Sequence, residues 1–140
     1  MIQVIAGNKG SGKTKRLIDI ANEALKVEHG VVAFIDDDKR YMYDLRHEIR
    51  FVDASDYPSI KGSSADVFLG FLSGMIASNF DLSVICVDSF LKLCKKTPLS
   101  EMEAFFENLN RIPEANDIRF IFNVSSDAET LPEFVKPYLI

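Results

Sequence analysis

The chain has 140 residues, 47% of them hydrophobic and 26% charged, which suits one globular domain over residues 1–140. Its net charge of −5 disfavours a broad basic surface for nucleic acid, and no stretch has the uncharged length needed to cross a membrane. The N-terminus lacks a signal-peptide pattern, and Cys86 and Cys94 form no C-x-x-C or zinc pattern, so we expect a cytoplasmic protein with packed thiols.

The first predicted elements are a strand, a glycine-rich loop and a helix. Residues 2–6 form a short apolar run rich in β-branched side chains, which is typical of a buried strand. The sequence GNKGSGKT at 7–14 fits the phosphate-binding loop pattern of glycine, any four residues, glycine, lysine, then serine or threonine. A helical pattern then runs to about residue 28, with one apolar face made of Leu17, Ile20, Ala21, Ala24 and Leu25. Strand, loop and helix in this order are the context that the motif requires.

The composition of this loop predicts a nucleoside triphosphate and Mg²⁺ as ligands. Glycines let the backbone curl so that successive N–H groups converge on one phosphate, and the helix that follows adds the positive end of its dipole. We expect Lys13 to reach the β- and γ-phosphate oxygens in a catalytic role and the Thr14 hydroxyl to bind Mg²⁺, whereas Lys9 is expected to be a solvated loop charge. The predicted nucleotide-binding residues are Gly7, Asn8, Lys9, Gly10, Ser11, Gly12, Lys13 and Thr14.

Further strands are predicted along the chain. Continuous apolar runs, which suggest strands covered on both faces, lie at 31–35, 82–87 and 118–124. The least periodic segment holds a candidate short helix and a candidate strand, at 43–47 and 49–53.

Two further helices are predicted from their capping signals. Ser63 or Ser64 can cap a helix that ends near residue 79, and its stripe of small residues suggests close approach to a neighbouring element: Gly70, Gly74 and Ser78. Thr97 before a proline, or a capping box from Ser100 to Glu103, can begin the next helix. The tail at 131–140 is expected to pack on the sheet as a short turn or helix. Alternating strands and helices predict an α/β fold, a three-layer α/β/α sandwich with a mainly parallel sheet of about five strands.

An acid that follows one of these strands is a second candidate for the nucleotide site. Asp88 comes directly after the apolar run at 82–87, and open α/β sheets bind ligands at the carboxyl ends of their strands. We expect Asp88 to hold Mg²⁺ from the side opposite Thr14, through water, and to take part in catalysis. An aspartate that only caps the following turn is the alternative.

The sequence resembles the RecA-like ATPase core, a class of P-loop NTPase. The resemblance rests on the phosphate loop, on GVVAFIDDD at 30–38 and on VICVDSF at 84–90. It implies ATP as the nucleotide and places Asp38 where the family has the glutamate that activates water, although Asp38 is one methylene shorter. It also implies that Asn123, Ser125 or Ser126 lies near the group that senses the γ-phosphate. An arginine finger supplied in trans would require a homo-oligomer.

Three functions remain open at this point. The first is Mg²⁺-dependent ATP hydrolysis, slow in the isolated chain, which is coupled to a partner or a regulatory event. The second is a nucleotide-gated interaction module that binds a protein partner without significant turnover. The third is a small-molecule phosphotransferase, since Asp38, Arg40 and Tyr41 resemble the D-x-R-Y stretch of thymidine-kinase-like proteins. That family would also have Asp-Glu at the distal strand and four zinc-binding cysteines, which this chain lacks.

Overall fold

A computed structural model describes residues 1–140 and contains one five-stranded sheet. Every pairing between neighbouring strands is parallel, and the strand order is β1-β5-β4-β2-β3. The strands are β1 (Ile2–Gly7), β2 (Val31–Asp36), β3 (Arg50–Asp53), β4 (Leu82–Val87) and β5 (Arg119–Ser125). The prediction of an α/β fold with about five mainly parallel strands is confirmed.

Helices cover both faces of the sheet. The four α-helices are α1 (Lys13–Val27), α2 (Ala65–Ser78), α3 (Phe90–Leu93) and α4 (Glu103–Arg111). Alternate residues of a strand point to opposite faces, so the two neighbours Val4 and Ile5 on β1 belong to different cores. The core that contains Ile5 includes Leu17 of α1, and the core that contains Val4 includes side chains from α2, α3 and α4. The result is the predicted three-layer sandwich. None of these helices combines the length and the apolar character that a membrane span requires.

The first helix and the irregular middle segment depart from prediction only in detail. On α1, Ile18 is buried with Leu17, whereas Ile20 is only partly buried. The candidate short helix at 43–47 is a 3₁₀ turn at Met42–Asp44, and the candidate strand at 49–53 is β3.

The small-residue stripe of α2 does not contact a neighbouring element, so that prediction is wrong for this chain. Gly70, Gly74 and Ser78 all face solvent, and a Cβ atom built at either glycine would meet no atom within 4 Å. The helix buries its opposite face, which carries Phe68 and Leu72. Large aromatic and aliphatic side chains there remove far more apolar surface from water than the stripe could.

The predicted caps of the fourth helix are also wrong. The helix begins at Glu103 after a 3₁₀ turn at Leu99–Glu101, and no side chain caps its N-terminus. Instead, the Thr97 hydroxyl accepts a hydrogen bond of 2.9 Å from the backbone N–H of Ala65, the first residue of α2. Ser64 caps α2 as predicted, by accepting from the N–H of Val67. Thr97 therefore provides the acceptor for the first N–H group of α2, which lies 32 residues earlier in the chain.

The C-terminal tail lies along the outer edge of β1. Leu139 pairs with Val4 in a parallel bridge, and the N–H of Ile140 donates to the Val4 carbonyl at 3.1 Å. The tail thus packs at the edge of the sheet and covers the edge of the strand that leads into the glycine-rich loop.

Candidate functional site

The glycine-rich loop leaves β1 and enters α1 through backbone conformations that favour glycine. Gly10 and Gly12 have φ angles of 84° and 86°, in the left-handed region that other residues rarely adopt. A Cβ atom at Gly7 would lie 2.6 Å from the Ser11 hydroxyl oxygen, so a larger residue there would force the Ser11 side chain to move. The Ser11 N–H donates to the Asn8 carbonyl at 3.1 Å and closes the turn. The shape of this loop therefore favours glycine at all three positions.

Lys13 is the first residue of α1, and its ammonium group lies across the loop. Its Nζ atom donates to the Asn8 carbonyl oxygen at 2.9 Å. The side chain also lines a cavity between the loop and the segment after β2, which we call the main cavity. A lysine in this place presents a mobile positive charge next to the N-terminus of a fifteen-residue helix. Both features favour an anion at the mouth of the loop.

Thr14 and Asp88 meet although they are 74 residues apart. The Thr14 hydroxyl donates to Asp88 Oδ2 at 3.0 Å. Two cis ligands in an octahedral Mg²⁺ shell, each about 2.0–2.1 Å from the ion, lie roughly 2.9 Å apart. A hydroxyl and a carboxylate are hard oxygen ligands, so this pair fits Mg²⁺ in chemistry and in spacing.

Asp88 is held firmly in this position. Its Oδ1 atom accepts from the side-chain amide of Asn123 at 3.1 Å and from the backbone N–H of Ser89 at 3.0 Å, and the residue is 5% exposed. Ser89 has φ of 58° and is the only non-glycine residue with a positive φ. The strand end and its strained turn together aim the carboxylate at the loop.

The polar residues at the end of β5 have three different positions. Asn123 is buried, and its side-chain oxygen has no hydrogen-bond donor. Ser125 lines the main cavity, whereas Ser126 pairs with Gly7 at the start of the loop. Because β5 lies between β1 and β4, Asn123 stands between the loop strand and the Asp88 strand. This is the group that the sequence suggested for sensing the terminal phosphate, and its role stays a prediction.

Asp36 is a site residue that the sequence analysis missed. It is the last residue of β2, the strand next to β4, and it is 2% exposed. Its Oδ1 atom accepts from the Asp37 N–H at 2.7 Å and from the Ser89 hydroxyl at 3.4 Å, while Oδ2 is buried without a donor. Burial, together with the negative charge of Asp88, raises the pKa of Asp36 from 3.8 to about 8. The sequence does carry a signal for Asp36, because it is the first acid after the apolar run at 31–35. The sequence analysis chose the third acid, Asp38, instead.

Asp38 makes its hydrogen bonds with Arg40. Its carboxylate accepts from the backbone N–H of Arg40 at 2.8 Å and from the Arg40 guanidinium at 3.4 Å. Asp38 lines the same cavity as Lys13, as do Arg40 and Tyr41, and the Arg40 guanidinium lies 5.9 Å from the centroid of the Tyr41 ring. Its proposed role in activating water is not tested by this geometry.

A cavity of about 910 Å³ joins these groups. One wall is the loop and the first turns of α1, and the other is the segment after β2 together with the residues that follow Asp88. Lys92, from the short α3, lines the same cavity and lies 3.7 Å from the Asp37 carboxylate. Pockets for nucleotides and other small ligands have volumes of roughly 300–1,000 Å³, so the cavity can accept a nucleoside triphosphate.

The two cysteines are not part of this site. Burial raises the pKa of the Cys86 thiol to about 12 and that of Cys94 to about 12. Both thiols are buried and unpaired, which agrees with the packing role predicted for them.

Comparison with solved structures supports the fold. No protein-family model and no curated protein sequence matches the chain. A crystal structure of the flagellar accessory protein FlaH from Methanocaldococcus jannaschii is similar, with a TM-score of 0.59 and 17% sequence identity. The alignment covers 96% of this chain but 64% of the FlaH chain, so this chain spans less than two thirds of that protein. The likeness supports the α/β fold, a parallel sheet with helices on both faces.

Proposed function

We propose that this chain binds a nucleoside triphosphate, ATP in the first instance, together with Mg²⁺ at the glycine-rich loop. The observation that carries the proposal is the 3.0 Å contact between the Thr14 hydroxyl and Asp88 Oδ2. It brings a loop hydroxyl and a strand-end carboxylate to one point, beside the lysine that would contact the terminal phosphates. The RecA-like fold and the cavity of about 910 Å³ support the same function.

Each residue of the candidate site would have a distinct role in binding the nucleotide. The loop backbone donates N–H groups to the phosphates, and Lys13 leaves the Asn8 carbonyl to contact the β- and γ-phosphate oxygens. Thr14 and Asp88 would hold Mg²⁺, directly or through water, and the ion would supply charge neutralisation to the terminal phosphates. Asn123 keeps the Asp88 carboxylate oriented through its 3.1 Å hydrogen bond.

Hydrolysis of the bound ATP is the activity that we propose for this site. It requires an acid that orients a water molecule for attack on the γ-phosphate. The family resemblance assigns this role to Asp38, and Asp36 is a second candidate because it lies beside Asp88 at the end of the neighbouring strand. Phosphate release by Asp38→Asn and Asp36→Asn variants, measured with Mg·ATP in excess, separates the two. The residue whose replacement lowers turnover without lowering ATP affinity is the one that acts on water.

A nucleotide-gated interaction module is the alternative that one observation favours. The carboxylate of Asp38, which the family resemblance assigns to water, is instead engaged by the backbone N–H and the guanidinium of Arg40. Binding without measurable phosphate release, in protein that is saturated with Mg·ATP, would support this second function.

Titration calorimetry with Mg·ATP tests the binding proposal. Lys13→Ala should lower the affinity at least tenfold, because it removes the ammonium group that lies across the loop and would contact the terminal phosphates. Lys26→Ala is the matched control, since it removes the same charge from the far end of α1, where Lys26 pairs with Glu23. We expect its affinity to stay within a factor of two of the unaltered protein. Equal affinity of the Lys13→Ala variant and the unaltered protein would refute nucleotide binding at this loop.

A further inference from the structure

Three consecutive acids follow the second strand and converge on one point. Asp36, Asp37 and Asp38 each offer one carboxylate oxygen, and these three oxygens lie within 4.8 Å of one another. We call these three residues the acidic triplet. All three line the main cavity, on the side opposite α1. Like charges at such distances repel unless a cation or a proton compensates them.

Asp36 supplies an independent sign that something is bound here. It is 2% exposed, and its Oδ2 atom has neither a hydrogen-bond donor nor a cationic partner in the chain. A buried carboxylate oxygen without a partner is costly, and native proteins almost always satisfy such groups with a donor, water or an ion. While all three groups are ionised, the oxygens of Asp37 and Asp38 are acceptors too, so they cannot satisfy Asp36.

The two cations near the triplet do not occupy its centre. Lys92 lies 3.7 Å from Asp37 and Arg40 lies 3.4 Å from Asp38, and both side chains are about two-thirds exposed to solvent. Ion pairs of this kind are worth about 0–1 kcal/mol, so a metal ion can displace them at little cost. Neither cation contacts Asp36 within 4.0 Å.

We propose that the acidic triplet binds a divalent metal cation, at a site separate from the Mg²⁺ that accompanies the nucleotide. Three carboxylates are the ligand type that hard cations prefer, and opposite ligands of Ca²⁺ lie roughly 4.6–5.2 Å apart. Oxygens that lie within 4.8 Å of one another can share one cation, and Ca²⁺ suits three carboxylates of one segment better than Mg²⁺ because its shell is larger and more flexible. The site does not depend on nucleotide, because all three ligands belong to one segment of the chain.

Binding of Ca²⁺ and Mn²⁺ to chelator-treated protein tests this proposal without any nucleotide. We expect titration calorimetry to give one saturable cation site per chain. Electron paramagnetic resonance of Mn²⁺ should give the same number of bound ions per chain. Asp37→Asn and Asp38→Asn should each weaken the affinity at least tenfold. Two separate variants are used so that a folding defect in one, checked by circular dichroism, leaves the other as the test.

Two controls distinguish this site from other sources of binding. Asp56→Asn removes an acid that is 57% exposed, pairs with Lys39 and lies outside the triplet, so it should leave the affinity within a factor of two. Thr14→Ala removes a proposed ligand of the nucleotide metal and should also leave binding of the cation alone within a factor of two.

Three results would overturn the proposal. The first is the absence of saturable binding up to about 5 mM cation, which is beyond the weakest range of protein Ca²⁺ sites. The second is an equal loss in Asp37→Asn and Asp56→Asn, which would indicate diffuse attraction to an acidic edge. The third is loss of the ion in Thr14→Ala, which would place it with Asp88. None of these results depends on whether ATP binds.

Discussion

The buried carboxyl group of Asp36 predicts that one conservative substitution stabilises the metal-free protein, and more so at high pH. Asp36→Asn keeps an oxygen that can accept the 2.7 Å hydrogen bond from the Asp37 N–H, and it removes a charge that faces Asp88. The other charged groups close to Asp36 are Asp37 and, through its pair with Asp37, Lys92. The substitution therefore changes charge far more than shape.

The direction of the effect follows from the pKa of Asp36. Since the pKa is about 8 in the folded chain and 3.8 as the ordinary value, the folded chain holds this proton more tightly than the unfolded chain does. The stability that protonated Asp36 contributes is fully present below about pH 4 and is lost as the pH rises through about 8.

The size of the effect follows from the same two values. Each pKa unit corresponds to about 1.4 kcal/mol, so the whole difference sets a ceiling near 6 kcal/mol, of which about 3 kcal/mol falls between pH 5.5 and 8.5. Because the titrations of Asp36 and Asp88 are coupled, we expect the stability advantage of Asp36→Asn to grow by up to about 3 kcal/mol over that range.

Urea unfolding with EDTA and without nucleotide measures this quantity. The free energy of unfolding of Asp36→Asn minus that of the unaltered protein is compared at pH 5.5 and pH 8.5, so that the other titrating groups cancel. Asp56→Asn, which removes an exposed acid from the same edge of the sheet, should change stability by less than about 0.5 kcal/mol at either pH. A stability difference for Asp36→Asn that is the same at both pH values, or that shrinks at pH 8.5, would refute the reasoning.

Two further predictions concern α2. Gly70→Ala and Gly74→Ala should each stabilise the protein by about 0.5–1 kcal/mol in thermal or urea unfolding, because the added methyl group meets no atom and alanine favours the helix; a loss of stability would reveal a contact that the glycines preserve. Thr97→Val should cost about 0.5–2 kcal/mol, because the N–H of Ala65 loses its acceptor, whereas Ser100→Ala, at the position of the failed capping box, should change stability by less than about 0.5 kcal/mol. Equal effects of Thr97→Val and Ser100→Ala would contradict the assignment of the cap.

Local patterns were sufficient to predict the fold and the loop. Apolar runs located the strands, and glycine and lysine spacing located the turn between β1 and α1, because these features depend on neighbouring residues. The carboxyl edge of a parallel sheet also follows from element order, which is why Asp88 could be placed opposite the loop from the sequence. The structure brings Asp88 to within 3.0 Å of Thr14.

Partners that are distant in the chain could not be predicted in the same way. Thr97 precedes a proline and looks like the cap of its own helix, and only the packing of the chain shows that it serves Ala65. Asp36, Asp37 and Asp38 are alike as a run of letters, and they differ only because β2 lies beside β4 and buries the first of them. Spacing alone suggested that the stripe with Gly70 approaches a neighbouring element. Burial depends instead on which elements pack against a helix, and they pack on the face of α2 that carries Phe68 and Leu72.

The position of β5 between β1 and β4 has a consequence for how the site is assembled during folding. β1 precedes the other four strands of the sheet in the chain, yet the only strand it pairs with is β5, the last of the five. The strands β2, β3 and β4 can associate earlier, but β1 and the glycine-rich loop that follows it have no neighbouring strand until residues 119–125 are in place. Pairing of such distant segments is slow to nucleate. A ligand that contacts both Thr14 and Asp88 would therefore bind only the finished fold, and its binding would stabilise the closure of the whole sheet.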